Sequence, residues 1–230
     1  MKYKHIFFDL DRTLWDFEKN SHKTLLQLID RFSLVKKGID TPEEFIRRYK
    51  IHNEILWSLY RKDEISKEEL RGKRFLLTMQ EYGINDLQLA EDFGSSYIDE
   101  SPYKTELFPF SHEILSYLKE RYTLHVITNG FQEVQLIKLK VSRLDVYFNI
   151  IITSEQVGVK KPNRRIFKYA LKEANALSHE SIMIGDDLIV DVLGAEKAGL
   201  TAVYFNPERK KHNKSFSFEI SCLSQIKQIL

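Results

Sequence analysis

The sequence of 230 residues has a single cysteine, Cys222, and almost no excess of either charge. One cysteine cannot form an intrachain disulfide, which is typical of proteins from a reducing compartment. A net charge of +2 provides no basic field of the kind that nucleic-acid-binding domains present. The apolar run at residues 6–8 is too short for a signal peptide, and no stretch approaches the length of a membrane span. We therefore expect a cytoplasmic protein that binds neither a membrane nor a nucleic acid polymer.

Short apolar strands alternate with helical patterns in much of the chain, which has the 43% hydrophobic and 30% charged residues of a globular protein. Strands are predicted at 6–8, 124–128, 150–152, 181–184 and 202–205, and helices at 110–121, 132–140, 163–174 and 189–198. Nearly continuous apolar strands that alternate with helices indicate a parallel sheet covered on both faces. The predicted fold class is α/β, with a Rossmann-like core.

The segment between about residues 15 and 100 differs, because it shows helical periodicity and almost no strand signal. Thr41 followed by Pro42 and Ser66 followed three residues later by Glu69 are typical helix starts. We therefore predict two domains. Residues 1–14 and 101–230 form the α/β catalytic core, and residues 15–100 form an inserted helical cap that closes over the site.

Polar side chains follow the predicted strands at their carboxyl ends, where open parallel sheets bind ligands. The first strand ends at Asp9 and Asp11, and the second at Thr128 and Asn129. The third is followed by Lys161, and the fourth by Asp186, Asp187 and Asp191. Four clusters that are distant in sequence would therefore meet at one edge of the sheet.

Clustered carboxylates repel one another in a partly dry site, so a cation is needed to make the cluster tolerable. Asp9, Asp186 and either Asp187 or Asp191 offer only oxygen ligands, which suit Mg²⁺ better than zinc. Thr128, Asn129 and Lys161 carry the groups that a phosphoryl oxygen needs. An aspartate nucleophile is a known route to an aspartyl-phosphate.

The motifs Asp-Leu-Asp-Arg-Thr at 9–13, Ile-Thr-Asn at 127–129, Lys-Pro at 161–162 and Gly-Asp-Asp with a further aspartate at 185–191 together resemble those of the haloacid dehalogenase-like (HAD) hydrolases. The resemblance covers essentially the whole chain. It implies a Mg²⁺-dependent phosphatase that acts on small phosphate monoesters. Within this family, the chain resembles the YjjG/YfnB-type 5′-nucleotidases at residues 8–14, 53–57 and 126–130.

The resemblance implies a role for each site residue. Asp9 would attack phosphorus, and Asp11 would protonate the leaving oxygen and then activate water, with its main-chain carbonyl on the metal. Thr128 and Asn129 would bind or orient the phosphoryl group, and Lys161 would neutralise charge. Asp186 would bind Mg²⁺ directly, and Asp191 would lie on or beside the metal, which leaves the role of Asp187 open.

Two further expectations concern residues near the first motif. Arg12 stands where many relatives carry glycine, and arginine does not adopt a positive φ cheaply. We therefore expect an ordinary backbone conformation there. Trp15 and Phe17 are expected to pack in the protein interior rather than to contact the substrate.

Alternatives to a nucleotidase remain open from the sequence. A sugar-phosphate phosphatase or a phosphomutase would use the same residues. A haloacid dehalogenase has no need for Asp11 as an acid or for the carboxylates Asp186 and Asp191. A non-catalytic ligand-binding protein predicts that at least one of the four motifs has decayed, and all four are intact.

Overall fold

The computed structural model describes residues 2–230, which divide into two compact units. One unit comprises residues 2–17 and 105–230, and the other comprises residues 18–104. Within the described residues the strands are β1 His5–Phe8, β2 Thr123–Thr128, β3 Ile150–Thr153, β4 Ser181–Gly185, β5 Thr201–Phe205 and β6 Phe218–Ile220. The α-helices are α1 Phe17–Arg31, α2 Pro42–Arg61, α3 Lys67–Gln80, α4 Leu87–Glu100, α5 Ser111–Lys119, α6 Gln132–Val141, α7 Ser154–Val157, α8 Arg164–Glu173 and α9 Leu193–Lys197.

The first unit is built on a parallel six-stranded sheet of order β3-β2-β1-β4-β5-β6. Strands β2 and β3 lie on one side of β1, and β4, β5 and β6 lie on the other. The strand order therefore reverses beside β1. Phe8 at the end of β1 is in register with Val126 of β2 and Ile184 of β4. The residues that follow these three strands therefore emerge side by side, at the place where such sheets bind ligands.

Both faces of the sheet are covered by apolar side chains. Ile6 and Phe8 lie in one buried cluster with side chains of α5, whereas Phe7 lies in another with side chains of α8 and α9. Alternate residues of a strand point to opposite faces, so a strand buried on both faces reads as a continuous apolar run. The predicted α/β fold with helices on both faces is confirmed.

The second unit contains α2, α3, α4 and nearly all of α1, around a buried apolar cluster that includes Leu25, Phe45, Phe75 and Phe93. The helix starts follow the expected chemistry. The Thr41 hydroxyl accepts a hydrogen bond from the Glu44 N–H, and Ser66 and Glu69 form a reciprocal capping box. Among residues 2–230, the helices are too short or too polar to span a bilayer.

Two details of the α/β unit differ from the predictions. Strand β6 was not predicted, because its three residues Phe218–Ile220 are shorter than the runs that reveal a strand by alternation. The predicted helix 189–198 begins as one π-helical turn, Leu188–Val192, before the short helix α9. Turns of this kind often occur at functional sites.

Candidate active site

The loop after β1 carries both aspartates of the first motif. The Asp9 N–H donates to the Ile184 carbonyl of β4 at 2.9 Å, which fixes the main chain of Asp9 against the neighbouring strand. The next residues form a tight turn in which the Leu10 carbonyl accepts hydrogen bonds from the N–H groups of Leu14 and Trp15, both at 2.9 Å. Asp9 is buried, whereas the side chain of Asp11 is 26% exposed.

The expectation of an ordinary backbone at Arg12 is wrong, because its φ is +63°. The left-handed conformation costs a non-glycine residue free energy. Two contacts of Arg12 offset that cost. Its N–H donates to the Trp15 carbonyl at 2.8 Å, and its guanidinium lies 4.7 Å from the centre of the Phe17 ring. Trp15 is 1% exposed and lies in a core cluster, as expected, and Phe17 packs against it.

Lys161 places a buried positive charge beside the predicted nucleophile. Its side chain is 1% exposed, and its ammonium lies 2.5 Å from Asp9 Oδ1 and 2.6 Å from Asp191 Oδ1. It also donates to the Ile127 carbonyl at 2.8 Å. Burial alone would lower the pKa of Lys161, but the carboxylates of Asp191 and Asp9 raise it above its ordinary value. Lys161 is therefore a permanent cation in contact with Asp9.

Asn129 holds the Lys161 segment in place. Its Nδ2 donates to the Lys161 carbonyl at 3.0 Å, and its Oδ1 accepts from the Lys161 N–H at 2.8 Å. Both ends of the Asn129 amide are thus used by one main-chain residue. The structure places this side chain as a support for Lys161, and its predicted contact with substrate stays a prediction.

Three carboxylates meet around this lysine. One oxygen from each of Asp9, Asp186 and Asp191 lies within 4.8 Å of the other two. Burial raises the pKa of Asp9 to about 7, against the opposing effect of Lys161 and with the help of the Asp191 charge. Burial, with repulsion from Asp9 and Asp191, also raises the pKa of Asp186 well above its usual range. One ammonium therefore does not balance the three carboxylates.

This imbalance tests whether the site fits the divalent cation predicted from the sequence. With all three carboxyl groups ionised, the single ammonium would leave two negative charges unbalanced, and the donors are oxygens of the type that Mg²⁺ prefers. A divalent cation would offset the repulsion that adds to burial in raising the pKa of Asp9 and Asp186. The residues present therefore fit Mg²⁺.

The turn after β4 places Asp187 and Asp191, between which the sequence left a choice, in different surroundings. Asp191 joins the acidic cluster, and its Oδ2 accepts a hydrogen bond from the Asp187 N–H at 3.1 Å. The Asp187 carboxylate instead accepts from the N–H groups of Ile189 and Val190, both at 2.9 Å. Asp187 is therefore a helix cap, whose role is to start the π-helical turn.

Asp11 is held by two residues that the sequence analysis did not identify. Lys138 Nζ lies 2.6 Å from Asp11 Oδ1, and Gln135 Nε2 donates to Asp11 Oδ2 at 3.0 Å. Both side chains are buried on α6, and burial lowers the pKa of Lys138 although Asp11 opposes this. A signal was present in the sequence. Phe131, Gln135, Lys138 and Leu139 share the inward helix face, so two polar residues occupy positions typical of apolar ones.

Thr128 and Thr13 complete the polar surroundings. The Thr128 hydroxyl oxygen accepts from Gln135 Nε2 at 2.6 Å and from the Gly130 N–H at 3.1 Å. Because both of these groups are donors, the Thr128 hydroxyl keeps its own hydrogen for a further acceptor. The Thr13 hydroxyl donates to Asp186 Oδ1 at 3.2 Å. Thr13 therefore contacts the acidic cluster, a position that was not predicted from the sequence.

A sequence profile described as haloacid dehalogenase-like hydrolase matches residues 6–205. That range contains all four strand-end motifs and the geometry they form. The chain belongs to the haloacid dehalogenase-like hydrolases. The predicted family and the predicted enzyme class, a phosphoric monoester hydrolase, are confirmed, because the curated relatives include nucleotidases and phosphatases.

Individual relatives of this HAD hydrolase are similar along nearly their whole length. Pyrimidine 5′-nucleotidase YjjG of Escherichia coli is 30% identical, over 100% of this chain and 99% of the relative. A glyceraldehyde 3-phosphate phosphatase of Methanothermobacter thermautotrophicus is 29% identical, over 99% of both. The crystal structure of the HAD-hydrolase YfnB from Bacillus subtilis, bound to magnesium, superposes with a TM-score of 0.90. It is 25% identical, over 100% of this chain and 99% of that one.

Proposed function

We propose that this HAD hydrolase is a Mg²⁺-dependent phosphatase that cleaves nucleoside 5′-monophosphates through an aspartyl-phosphate on Asp9. The observation that supports it most is the pairing of Asp9 with Lys161 inside a cluster of three carboxyl groups, which one ammonium cannot neutralise when all three are ionised. An enzyme that attacks a dianionic phosphate needs positive charge from Lys161 and from a cation, because nucleophile and substrate would otherwise repel each other. Asp9 and Asp186 would hold Mg²⁺, with Asp191 and the main-chain carbonyl of Asp11 as the family resemblance implies.

The protein side chains have separate tasks in the first half of this reaction. Asp9 donates a carboxylate electron pair to phosphorus, and the bond from phosphorus to the leaving oxygen breaks. Asp11 transfers a proton to that oxygen, so an alcohol rather than an alkoxide leaves. Lys161 and the free hydroxyl hydrogen of Thr128 stabilise the phosphoryl oxygens. Bound Mg²⁺ would neutralise charge on the transferred group.

The second half uses the same residues in reverse. Asp11, now ionised, takes a proton from water as the water oxygen bonds to phosphorus. The bond between Asp9 and phosphorus breaks, and inorganic phosphate leaves with Asp9 regenerated. The proton returns to Asp11, so the cycle consumes one water and leaves the enzyme unchanged.

Substrate choice is the finer part of the proposal. Two features support a nucleotide: the resemblance to 5′-nucleotidases at residues 8–14, 53–57 and 126–130, and the overall similarity to a protein named as a pyrimidine 5′-nucleotidase. The relative named as a glyceraldehyde 3-phosphate phosphatase supports a sugar phosphate as the second candidate. We place the selection of the leaving group in the helical unit of residues 18–104, because the four motifs provide only groups for the phosphoryl moiety and the metal.

The deciding experiment compares kcat/KM for UMP and dTMP with kcat/KM for glyceraldehyde 3-phosphate and hexose 6-phosphates, with Mg²⁺ and after EDTA treatment. A preference for the two nucleotides, lost with EDTA, is expected. A clear preference for the sugar phosphates would overturn the nucleotidase proposal and leave the phosphatase standing. Full activity in EDTA would overturn the magnesium requirement.

Two rival reactions can be distinguished by assays on the same purified protein. A phosphomutase would require a sugar bisphosphate for turnover and would return phosphate to the substrate. A haloacid dehalogenase would release halide from a 2-haloacid without Mg²⁺. Release of inorganic phosphate from a monoester without any bisphosphate activator is the expected result.

A further inference from the structure

Gln135 and Lys138, called here the α6 clamp, lie outside the four strand-end motifs and touch Asp11 at both of its oxygens. They are three residues apart on α6 and therefore share one helix face. Gln135 is 0% exposed and Lys138 is 4% exposed. Burying a long polar side chain is costly, so the burial of two such side chains on one helix face needs an explanation.

Stability is a poor explanation for this pair of residues. The Lys138 ammonium lies 2.6 Å from Asp11 Oδ1 and 4.0 Å from the centre of the Trp15 ring. Buried ion pairs can often be replaced by apolar residues with no loss of stability, or even a gain. Gln135 also keeps a buried side-chain oxygen with no hydrogen-bond partner among the described residues. The arrangement instead fixes one carboxyl group in one orientation.

The geometry points to the α6 clamp as a pair of positioning residues for proton transfer by Asp11. We propose that it holds the Asp11 carboxyl group in line with the leaving-group oxygen, and this rests on the proposed phosphatase function. Lys138 anchors Oδ1 and Gln135 anchors Oδ2 at 3.0 Å, so the plane of the carboxyl group is set at two points.

Gln135 also ties the acid to the phosphoryl-binding group. The same nitrogen, Nε2, lies 2.6 Å from Thr128 Oγ1. An amide nitrogen has two hydrogens, one for each acceptor. The distance between the Asp11 carboxyl and the Thr128 hydroxyl is thereby fixed. Gly130 leaves room for this, since a Cβ there would lie 2.4 Å from Gln135 Nε2.

The expected consequence concerns the breaking of the bond between phosphorus and the leaving oxygen. As phosphorus bonds to Asp9, the leaving oxygen gains negative charge and receives the proton of Asp11. A poor leaving group depends strongly on that proton, whereas a good leaving group departs without it. Misplacing the carboxyl group by about 1 Å can cost on the order of 10²-fold in rate. That loss should therefore grow as the leaving group becomes more basic.

The test compares phenyl phosphate with p-nitrophenyl phosphate, which share one ring and differ in leaving-group basicity, and adds UMP. The variants are Lys138→Met, which keeps the packing stem, and Gln135→Met, which keeps the volume. Lys140→Met is the matched control, because Lys140 is exposed on the same helix. The readout is kcat/KM, which reports the steps up to release of the leaving group.

We expect both clamp variants to lose about 10- to 100-fold with phenyl phosphate and UMP, and about threefold or less with p-nitrophenyl phosphate. Lys140→Met should match the wild type on all three. An equal loss on the two aryl esters, or no loss, in an active and folded variant overturns the clamp alone. If Lys138→Met does not fold, Gln135→Met decides by the same criterion. Inactivity of the wild type on every ester refutes the phosphatase function and the clamp with it.

Discussion

Asp9→Asn is expected to abolish turnover and yet to stabilise the metal-free protein above pH 7. The amide cannot attack phosphorus, so activity is lost. Asp9 shares Lys161 with Asp191 inside a cluster of three buried carboxylates. Removing one of the three charges relieves repulsion, while the amide oxygen can still accept a hydrogen bond from Lys161.

The size of the effect follows from the pKa of Asp9, which burial raises from 3.8 to about 7. A shift of about 3 units corresponds to about 4 kcal/mol at most. Neighbouring charges rearrange when one is removed, so we expect about half, roughly 2 kcal/mol. For a chain of this length that is a rise in Tm of about 4 to 8 °C.

The sign of the pH dependence is opposite to that of an ordinary carboxylate. The folded-state pKa of Asp9 lies above the unfolded value, so the folded state holds more protons between pH 4 and 7. The contribution of Asp9 to the stability of the metal-free wild type therefore falls as pH rises through this window. The advantage of Asp9→Asn should be complete above pH 7 and should fall by more than half at pH 5.

Thermal unfolding in EDTA at pH 8 and pH 5 measures both predictions. Asp99→Asn is the matched control, because Asp99 is exposed on α4 and the substitution changes the net charge equally. Its effect should stay within about 0.5 kcal/mol. A Tm for Asp9→Asn below that of the wild type at pH 8, or a gain that is equal at both pH values, would refute the reasoning.

Three further predictions test single contacts. Lys161→Met should destabilise the metal-free protein by about 3 to 5 kcal/mol, because it leaves buried carboxylates without a partner; an unchanged urea-unfolding midpoint would contradict this. Gly185→Ala should lower both stability and activity, because the new Cβ would lie 2.4 Å from Asp191 Oδ2. Gly72→Ala on α3 is the control, since its Cβ meets nothing within 4 Å and the substitution should stabilise the helix slightly. Equal changes of Tm in the two variants would contradict the close contact at Gly185. Burial lowers the pKa of His125 to about 4, so the contribution of His125 to stability should fall as pH drops from about 6.5 to 4. In urea titrations the difference in unfolding free energy between His125→Gln and the wild type should therefore move in favour of the variant over this range. A difference that stays constant would contradict the burial of a neutral His125.

Much of the α/β unit could be predicted from the sequence because its strands are buried on both faces. A continuous apolar run such as Ile6 to Phe8 indicates a strand that is buried on both faces. The neighbouring strands of the sheet are apolar runs of the same kind and are predicted in the same way. The strand ends then locate Asp9, Thr128, Lys161 and Asp186 at one edge. Position relative to the sheet therefore predicted the neighbourhood of these residues.

The contacts inside that neighbourhood could not be read from the same pattern. Gln135 and Lys138 lie on a helix, and a charge on the inward face of a helix is usually a sign of a wrong helix phase rather than of a site. The positive φ of Arg12 depends on hydrogen bonds across its own turn, which no propensity encodes. Asp187 and Asp191 are separated by a single turn, so the sequence pattern could not predict which of the two carboxylates joins the acidic cluster.

The central claim is that Asp9 carries the phosphoryl group. The most direct measurement uses Asp11→Asn with Mg²⁺ and p-nitrophenyl phosphate, whose good leaving group needs little proton assistance. Phosphorylation should proceed, and hydrolysis should stall because no base activates water.

Acid quenching and peptide mass spectrometry then locate the phosphate. We expect one phosphoryl group on the peptide that contains Asp9, and none on that peptide in an Asp9→Asn, Asp11→Asn double variant. Phosphate on another residue, or a burst of nitrophenol from Asp11→Asn with no phosphorylated peptide, would contradict the account.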